Sequence, residues 1–227
     1  MLFYIKVFIK LFSLKIAFYE ILSKKKAFLK KMQYVCDIGC GTGALSFIYN
    51  TTIGSKNIKY FGIDNNLQAI RSTEINALLQ DISMKTCHFD MKSYIPNELE
   101  PRFGNNFNEN TKFDLILSNP PWLVAKPLEI FIDSGNYDPN EEFLKKLISF
   151  VSMKLEREKG VFYLIYSDLS QLLGVQEEKR VEQLVKQNGM NVLGVYRYEG
   201  MVNMSKIQSH FDALKQKAHL VIYEIGF

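Results

Sequence analysis

Val35-Cys36-Asp37-Ile38-Gly39-Cys40-Gly41-Thr42-Gly43 decides the fold of this 227-residue chain. An apolar, strand-like run over residues 32–36 delivers an acid. Glycine then takes every second position, and a helix-like segment over 44–49 follows. Glycine lets a chain turn sharply out of a strand and lets its backbone approach a ligand with no Cβ in the way. The stretch reads as the βα turn of a nucleotide-binding sheet.

Downstream, strand-like and helix-like runs alternate. A second strand over 58–63 ends at Asp64-Asn65-Asn66, and a helix over 67–79 follows it. A third strand, 84–89, ends at Asp90. Residues 97–112, rich in Asn and Glu with Pro101 and Gly104, read as a solvated loop. A fourth strand, 113–117, runs into Ser118-Asn119-Pro120-Pro121-Trp122. An irregular stretch, 123–139, precedes a helix over 141–157 and a fifth strand over 161–166. A helical stretch from Asp168 to Gln187 is interrupted by Gly174, and strands over 191–198 and 219–225 flank a partly helical connection. This order predicts an α/β fold, a doubly wound, mostly parallel seven-stranded sheet of Rossmann-like type. One domain is expected over 32–227, with an N-terminal helical arm over 1–31.

The arm is apolar and basic. Residues 1–34 carry eight lysines against Glu20 alone, so of 28 basic and 24 acidic side chains the remainder holds 20 and 23. A weakly acidic body does not suit a long groove for phosphate backbones, and nucleic-acid affinity would rest on the arm. Lys6, Lys10 and Lys15 interrupt its apolar run too often for a membrane span or signal-peptide core. Leu11, Leu14, Phe18 and Leu22 have helical spacing, which predicts a helix covering one face of the sheet before a solvated turn, Lys24-Lys25-Lys26. Three cysteines form neither a disulfide framework nor a metal-ligand spacing and fit a reducing, cytoplasmic compartment. Organelle targeting by the arm is the alternative location; it fits the scarcity of acids, though the arm has no Arg.

In an open parallel sheet, ligands bind beyond the carboxyl ends of the strands. Asp37, Asp64 and Asp90 would there meet a ligand carrying an ammonium group, a ribose diol and an adenine amino group, as S-adenosylmethionine does. At these residues the sequence resembles the class I S-adenosylmethionine-dependent methyltransferases. The match is Asp37-x-Gly39-x-Gly41-x-Gly43, Asp64, Asp90 and Asn119-Pro120-Pro121-Trp122, and it covers residues 32–227. The resemblance implies that Asp37 and the glycines hold the methionine end, that Asp64 holds the ribose hydroxyls and that Asp90 lies near adenine. Cys40, Gly43 and Asn65 complete the candidate cofactor set. Asp64 can equally cap the following helix, and Asp90 can be a turn residue. His88 reads as a core or sheet-face histidine.

Asn119, Pro120 and Trp122 are the candidate catalytic residues. An exocyclic amino or amide nitrogen is a poor nucleophile because its lone pair is delocalised. The Asn119 side-chain carbonyl and the Pro120 main-chain carbonyl can take both N–H hydrogens. They would aim the lone pair at the methyl group and stabilise the charge that grows on nitrogen. Consecutive prolines fix φ and set those carbonyl directions in advance. Trp122 offers a face for a planar substrate, worth ~1–3 kcal/mol for a base; the alternative is a Pro-Pro turn with a buried Trp.

The tetrapeptide resembles that of amino-methylating families, which act on base amino groups in DNA and RNA or on the glutamine amide of release factors. Tyr137-Asp138-Pro139 echoes an aromatic-acid-Pro run of the release-factor enzymes, whose following Gly-rich stretch is absent here and which usually carry Tyr in place of Trp. The resemblance stands nearer to compact "small domain" methyltransferases. It implies transfer to a planar nitrogen of an RNA or DNA base or a protein glutamine. RNA or protein partners, including the ribosome or a release factor, fit the lysines at 24–31, and dependence on an activating partner subunit is compatible with it. Two other readings compete. Gly39-x-Gly41-x-x-Ala44 with Asp64 satisfies the dinucleotide fingerprint of an NAD(P)-dependent oxidoreductase, and a non-catalytic cofactor- or RNA-binding subunit would keep the same fold.

Overall fold

The computed structural model describes residues 14–55, 57–95, 110–125, 136–199 and 217–227. These residues form a seven-stranded sheet in the order β3-β2-β1-β4-β5-β7-β6. The strands are β1 Tyr34–Ile38, β2 Lys59–Asp64, β3 Met84–His88, β4 Leu115–Ser118, β5 Val161–Ser167, β6 Asn191–Tyr198 and β7 Leu220–Gly226. All neighbours pair in parallel except β7, which runs antiparallel to β5 and β6. The doubly wound, mostly parallel sheet expected from the sequence is the one observed.

Chain order reverses at β1, which lies between β2 and β4, and a parallel sheet opens a crevice at such a point. In register, Ile38 pairs with Ser118, so Gly39 and Asn119 leave the sheet side by side. Ser118 Oγ donates to the Ile38 carbonyl at 2.7 Å and locks the two strand ends together.

Helices cover both faces. They are α1 (14–24 in the described residues), α2 Lys26–Leu29, α3 Ala44–Ile53, α4 Leu67–Leu79, α5 Glu142–Lys154, α6 Leu169–Leu172 and α7 Arg180–Gln187. Tyr60 of β2 meets Tyr49 of α3, while its neighbour Phe61 meets Phe113, which in turn meets Phe150 of α5. Successive strand residues point to opposite faces, so α3 and α5 lie on opposite sides of the sheet. Burial on both sides explains why β4, β5 and β7 are wholly buried and read as continuous apolar runs. Edge strand β6 instead alternates exposed and half-buried residues.

The described part of the arm packs as the expected helix. Leu14, Ala17, Phe18, Ile21 and Leu22 enter the common core, and the Phe18 ring sits edge-on to Tyr163, centroids 5.9 Å apart. Lys24 and Lys26 are exposed, but Lys25 departs from the expected solvated turn by pairing with the buried carboxylate of Glu224 in β7. Phe18→Ala is expected to cost about 3–5 kcal/mol, read from the shift in denaturant midpoint at unchanged slope.

Several boundaries move for local reasons. β1 starts and ends two residues later than expected, because its ladder with β2 begins at Tyr34↔Lys59 and Gly39 turns the chain out at φ +69. Helix α5 stops at Lys154, where Leu155 turns extended and bridges to Phe113. The 168–187 stretch divides into α6 and α7 around Gly174 at φ +70 and Lys179 at φ +58. The loop expected over 97–112, part of the irregular stretch 123–139 and the connection before β7 lie largely outside the described residues. Among the described residues no helix is long and apolar enough to cross a membrane.

Candidate active site at the carboxyl rim of the sheet

The glycine bend is fastened almost group by group. The amides of Gly39 and Cys40 both donate to the Ile63 carbonyl of β2, at 2.8 and 3.0 Å, and the Gly43 amide donates to the Cys40 carbonyl at 2.7 Å. From α4, Thr73 Oγ1 donates to the Gly41 carbonyl at 2.8 Å and Asn76 Nδ2 to that of Thr42 at 3.0 Å. Gly43, at φ +79, opens α3 where a Cβ would stand 2.5 Å from the Phe47 ring, so the position admits no side chain without repacking. Gly41 differs. At φ +58 it faces open space, with nothing within 4 Å of a Cβ, which leaves its backbone bare toward the rim. Gly41→Ala is therefore expected to lower stability by about 1 kcal/mol through left-handed strain, while weakening a backbone-hugging ligand by a larger factor; melting and calorimetry on one sample separate the two.

Asp37 lies inside β1 rather than past its end and is 1% exposed. Its Oδ2 accepts from Ser46 Oγ at 2.9 Å and from the Ser46 amide at 3.3 Å. Its Oδ1 is buried with no donor among the described residues. Burial pushes this carboxyl up to about 7; the Ser46 hydrogen bonds oppose the shift and the charge of Asp64 adds to it.

Asp64 ends β2 and is oriented by the main chain: the Gly41 amide donates to Oδ2 and the Asn66 amide to Oδ1, both at 2.8 Å. The cap of α4 is Asn66, whose side chain accepts from the Gln68 amide, so Asp64 does not take that role. Asn65 is exposed at the same turn, and its carbonyl meets His88 Nε2 at 2.9 Å, which puts His88 on the sheet's outer edge. Asp90 lies two residues past β3 and caps the 3-10 turn Met91–Ser93, Oδ1 accepting from the Lys92 amide. A turn role is thus present at Asp90.

Two sequence expectations need correction. The Cys40 thiol is buried against Thr73 Oγ1 at 3.6 Å and under Gly62, and both Cys40 main-chain groups are engaged in the bend; its side chain therefore packs α4 rather than facing a cofactor. Trp122 is 6% exposed, and its Nε1 donates to the Ile165 carbonyl of β5 at 3.3 Å. The ring belongs to the core and offers no open face for stacking. The Pro-Pro turn with a buried Trp describes the ring, while Asn119 stays at the rim.

Asn119 is half-buried beside Gly39, Pro120 is buried, and Asn119 Oδ1 is a buried acceptor with no donor among the described residues. The turn is held from two sides. Trp122 and Leu123 donate their amides to the Asn136 carbonyl at 3.1 and 2.9 Å. Ser170 Oγ donates to the Trp122 carbonyl at 2.7 Å and accepts from the Val124 amide at 3.1 Å.

Asp138, 1% exposed, joins this turn to α5. Its amide donates to the Leu123 carbonyl, and its carboxylate accepts from the Phe143 and Leu144 amides at 2.8 and 3.0 Å. Burial raises its pKa against those hydrogen bonds. The clamp also brings the Phe143 ring within 3.8 Å of where a Gly39 Cβ would lie. Sequence reasoning quoted Asp138 within Tyr137-Asp138-Pro139 without assigning it this clamp, although an Asp-Pro pair ahead of an apolar-periodic run is a helix-start signal. It missed Ser46 and Ser170, which nothing marks.

The model of a family described as "Methyltransferase domain" matches residues 29–221. Among curated proteins, the chain is similar to the release factor glutamine methyltransferase of Buchnera aphidicola subsp. Schizaphis graminum, 27% identical over 146 residues, 64% of this chain and 46% of that one. It is also similar to that of Fusobacterium nucleatum, 24% identical over 176 residues, 73% and 44%. The chain spans less than half the length of these relatives. Among solved structures, an S-adenosylmethionine-dependent methyltransferase from Clostridium acetobutylicum superposes with a TM-score of 0.58 at 18% identity, covering 91% of this chain and 89% of that one. A ribosomal protein L11 methylase from Lactobacillus delbrueckii subsp. bulgaricus gives 0.53 at 18%, covering 92% and 76%. At such identities the likeness concerns the fold.

Proposed function

We propose, from the premise that this chain belongs to the methyltransferase domain family, that it methylates the side-chain amide nitrogen of a glutamine in a protein substrate. Its cofactor is S-adenosylmethionine, which supplies an electrophilic methyl group on a sulfonium. The residues present fit that donor. Asp37 Oδ1 is a buried acceptor without a donor among the described residues, as an ammonium group requires, and the space at Gly41 lets a ligand lie against bare backbone. The family match removes the support for a nicotinamide-dependent oxidoreductase. Residues 32–227 are taken as the domain and 1–31 as an addition to it, although residues 14–29 share its core.

The observation that carries the reading is the orphaned Oδ1 of Asn119 beside Gly39. An NH₂ group donating there and to the Pro120 carbonyl would present its lone pair along the normal to its plane. Two features favour an amide over a nucleobase. Trp122 is buried, so the ring next to Asn119 gives a base no face to stack on. Asp64, Asp90 and Asp168 also lie along the rim, where their charge disfavours phosphates. Lys30, Lys31, Lys59, Lys112, Arg157 and Lys159 are exposed at the opposite ends of β1, β2, β4 and β5, so they do not steer a polyanion into the site.

Tritium transfer from labelled cofactor into fractionated protein and RNA tests this. Label should enter protein and leave as methylamine on acid hydrolysis. Label confined to RNA purines would overturn the amide assignment.

A further inference from the structure

Beyond the methyl-transfer residues, the rim carries a second polar pair. Asp168 directly follows Ser167, the last residue of β5, and His219 directly precedes Leu220, the first residue of β7. The carboxylate holds the histidine at two points: Oδ1 accepts from the His219 amide and Oδ2 from ring Nδ1, each at 2.7 Å. A carboxylate oxygen accepts from Nδ1–H, so in the neutral ring that tautomer leaves the lone pair on Nε2. Nε2 makes no hydrogen bond with any described residue, and the side chain is 36% exposed against 12% for Asp168. Two residues past Asp168, Ser170 grips the Trp122 carbonyl, so the pair and the Asn119 turn belong to one rigid rim.

The height of this pair decides what it meets. Asp168 lies four residues beyond Leu164, the partner of Ser118, which at ~3.3 Å per residue places it about 10 Å farther along the strand direction than Asn119. A glutamine side chain carries its amide roughly 5 Å from its own main chain. With that amide one hydrogen bond (~2.9 Å) beyond an Asn119 side chain of ~3 Å, the three spans in line sum to roughly 10 Å. The substrate's main chain, not the methylated nitrogen, therefore reaches the level of the pair, whose His219 lies two strands away at β7. In the neutral ring Nε2 is an exposed acceptor that a substrate N–H can meet. A peptide main chain offers N–H groups, whereas a phosphodiester offers none and is repelled by Asp168.

The geometry points to Asp168–His219 as a substrate-anchoring site in which His219 Nε2 accepts a main-chain N–H of the peptide flanking the methylated glutamine. This rests on the amide reading above. Asp168 is the positioning residue: it fixes the ring and the tautomer. In Asp168→Asn, an amide N–H would face Nδ1 and drive the proton to Nε2, turning the acceptor into a donor.

The test uses the full chain, S-adenosylmethionine and a short glycine-flanked peptide with one central glutamine. It is compared with analogues in which an ester oxygen replaces either flanking main-chain N–H. For the amide peptide, His219→Ala and Asp168→Asn should each raise KM about tenfold with kcat nearly unchanged, the size of one lost hydrogen bond. One ester analogue should show the same rise with the wild type and no further rise with His219→Ala. Losses that multiply to about a hundredfold, or an unchanged KM in a His219→Ala protein that melts normally, would overturn the anchor and leave the amide reading standing. A wild type that labels RNA and no peptide would overturn both.

Discussion

Asn119→Ala is expected to leave cofactor affinity within about twofold and to lower methyl transfer by about a hundred- to a thousandfold. The asymmetry follows from where the atom points. Asn119 Oδ1 is buried and unpartnered, while the groups assigned to the cofactor stand on β1, the glycine bend and β2. An acceptor held in place before reaction is worth most where charge develops, because no solvent need reorganise. In an amide the nitrogen lone pair is conjugated in the ground state and becomes a bonding pair as the methyl arrives. The two N–H groups then grow more acidic, and their hydrogen bonds to Asn119 and Pro120 strengthen. Removing one acceptor costs little before the transition state and much at it. Asn119→Asp tests the point from the other side: it keeps an acceptor, so binding of S-adenosylhomocysteine and melting should change little, while its charge should restore part of the lost rate. Single-turnover rates beside calorimetry with S-adenosylhomocysteine check both. A near-normal rate in Asn119→Ala would remove the acceptor pair from the mechanism.

What the sequence made legible is what local pattern controls. Helix α4 and strand β6 were read to the residue, although the cap of α4 is Asn66 and not the Asp64 that the sequence offered for it. The alternating glycines were legible because positive φ at 39, 41 and 43 leaves few substitutes. Partners distant in sequence were not legible. Whether Trp122 is open or buried depends on a carbonyl of Ile165 and a hydroxyl of Ser170. The Asp168–His219 pair joins residues 51 positions apart, through a sheet order that no run of either segment announces. Cys40 was misread for a related reason: its neighbours in the bend face the rim, while its own thiol turns under α4, a direction that depends on packing.

Asp37→Asn should weaken cofactor binding severely and, in the cofactor-free protein, raise stability. The carboxyl is pushed up to about 7 from 3.8 by burial, so the native state holds this proton more tightly than the unfolded chain does. A raised acid makes stability fall as pH rises from the unfolded value to the folded one, and the deficit persists above about 7. Roughly three pH units at 1.36 kcal/mol each bounds it at about 4 kcal/mol. An uncharged Asn keeps the Ser46 contacts and escapes that penalty. The variant should therefore melt above the wild type at pH 8 and match it near pH 4. The cofactor's ammonium reverses the balance by favouring the ionised form. Wild-type affinity for S-adenosylhomocysteine should consequently weaken below about pH 7, by up to tenfold per unit, with proton release on binding. Asp37→Asn should bind weakly at every pH with no such slope. Calorimetry in two buffers of different ionisation enthalpy measures the released proton directly. A wild-type affinity flat from pH 5.5 to 8 would mean that Asp37 is already ionised in the free protein and does not stand against the ammonium.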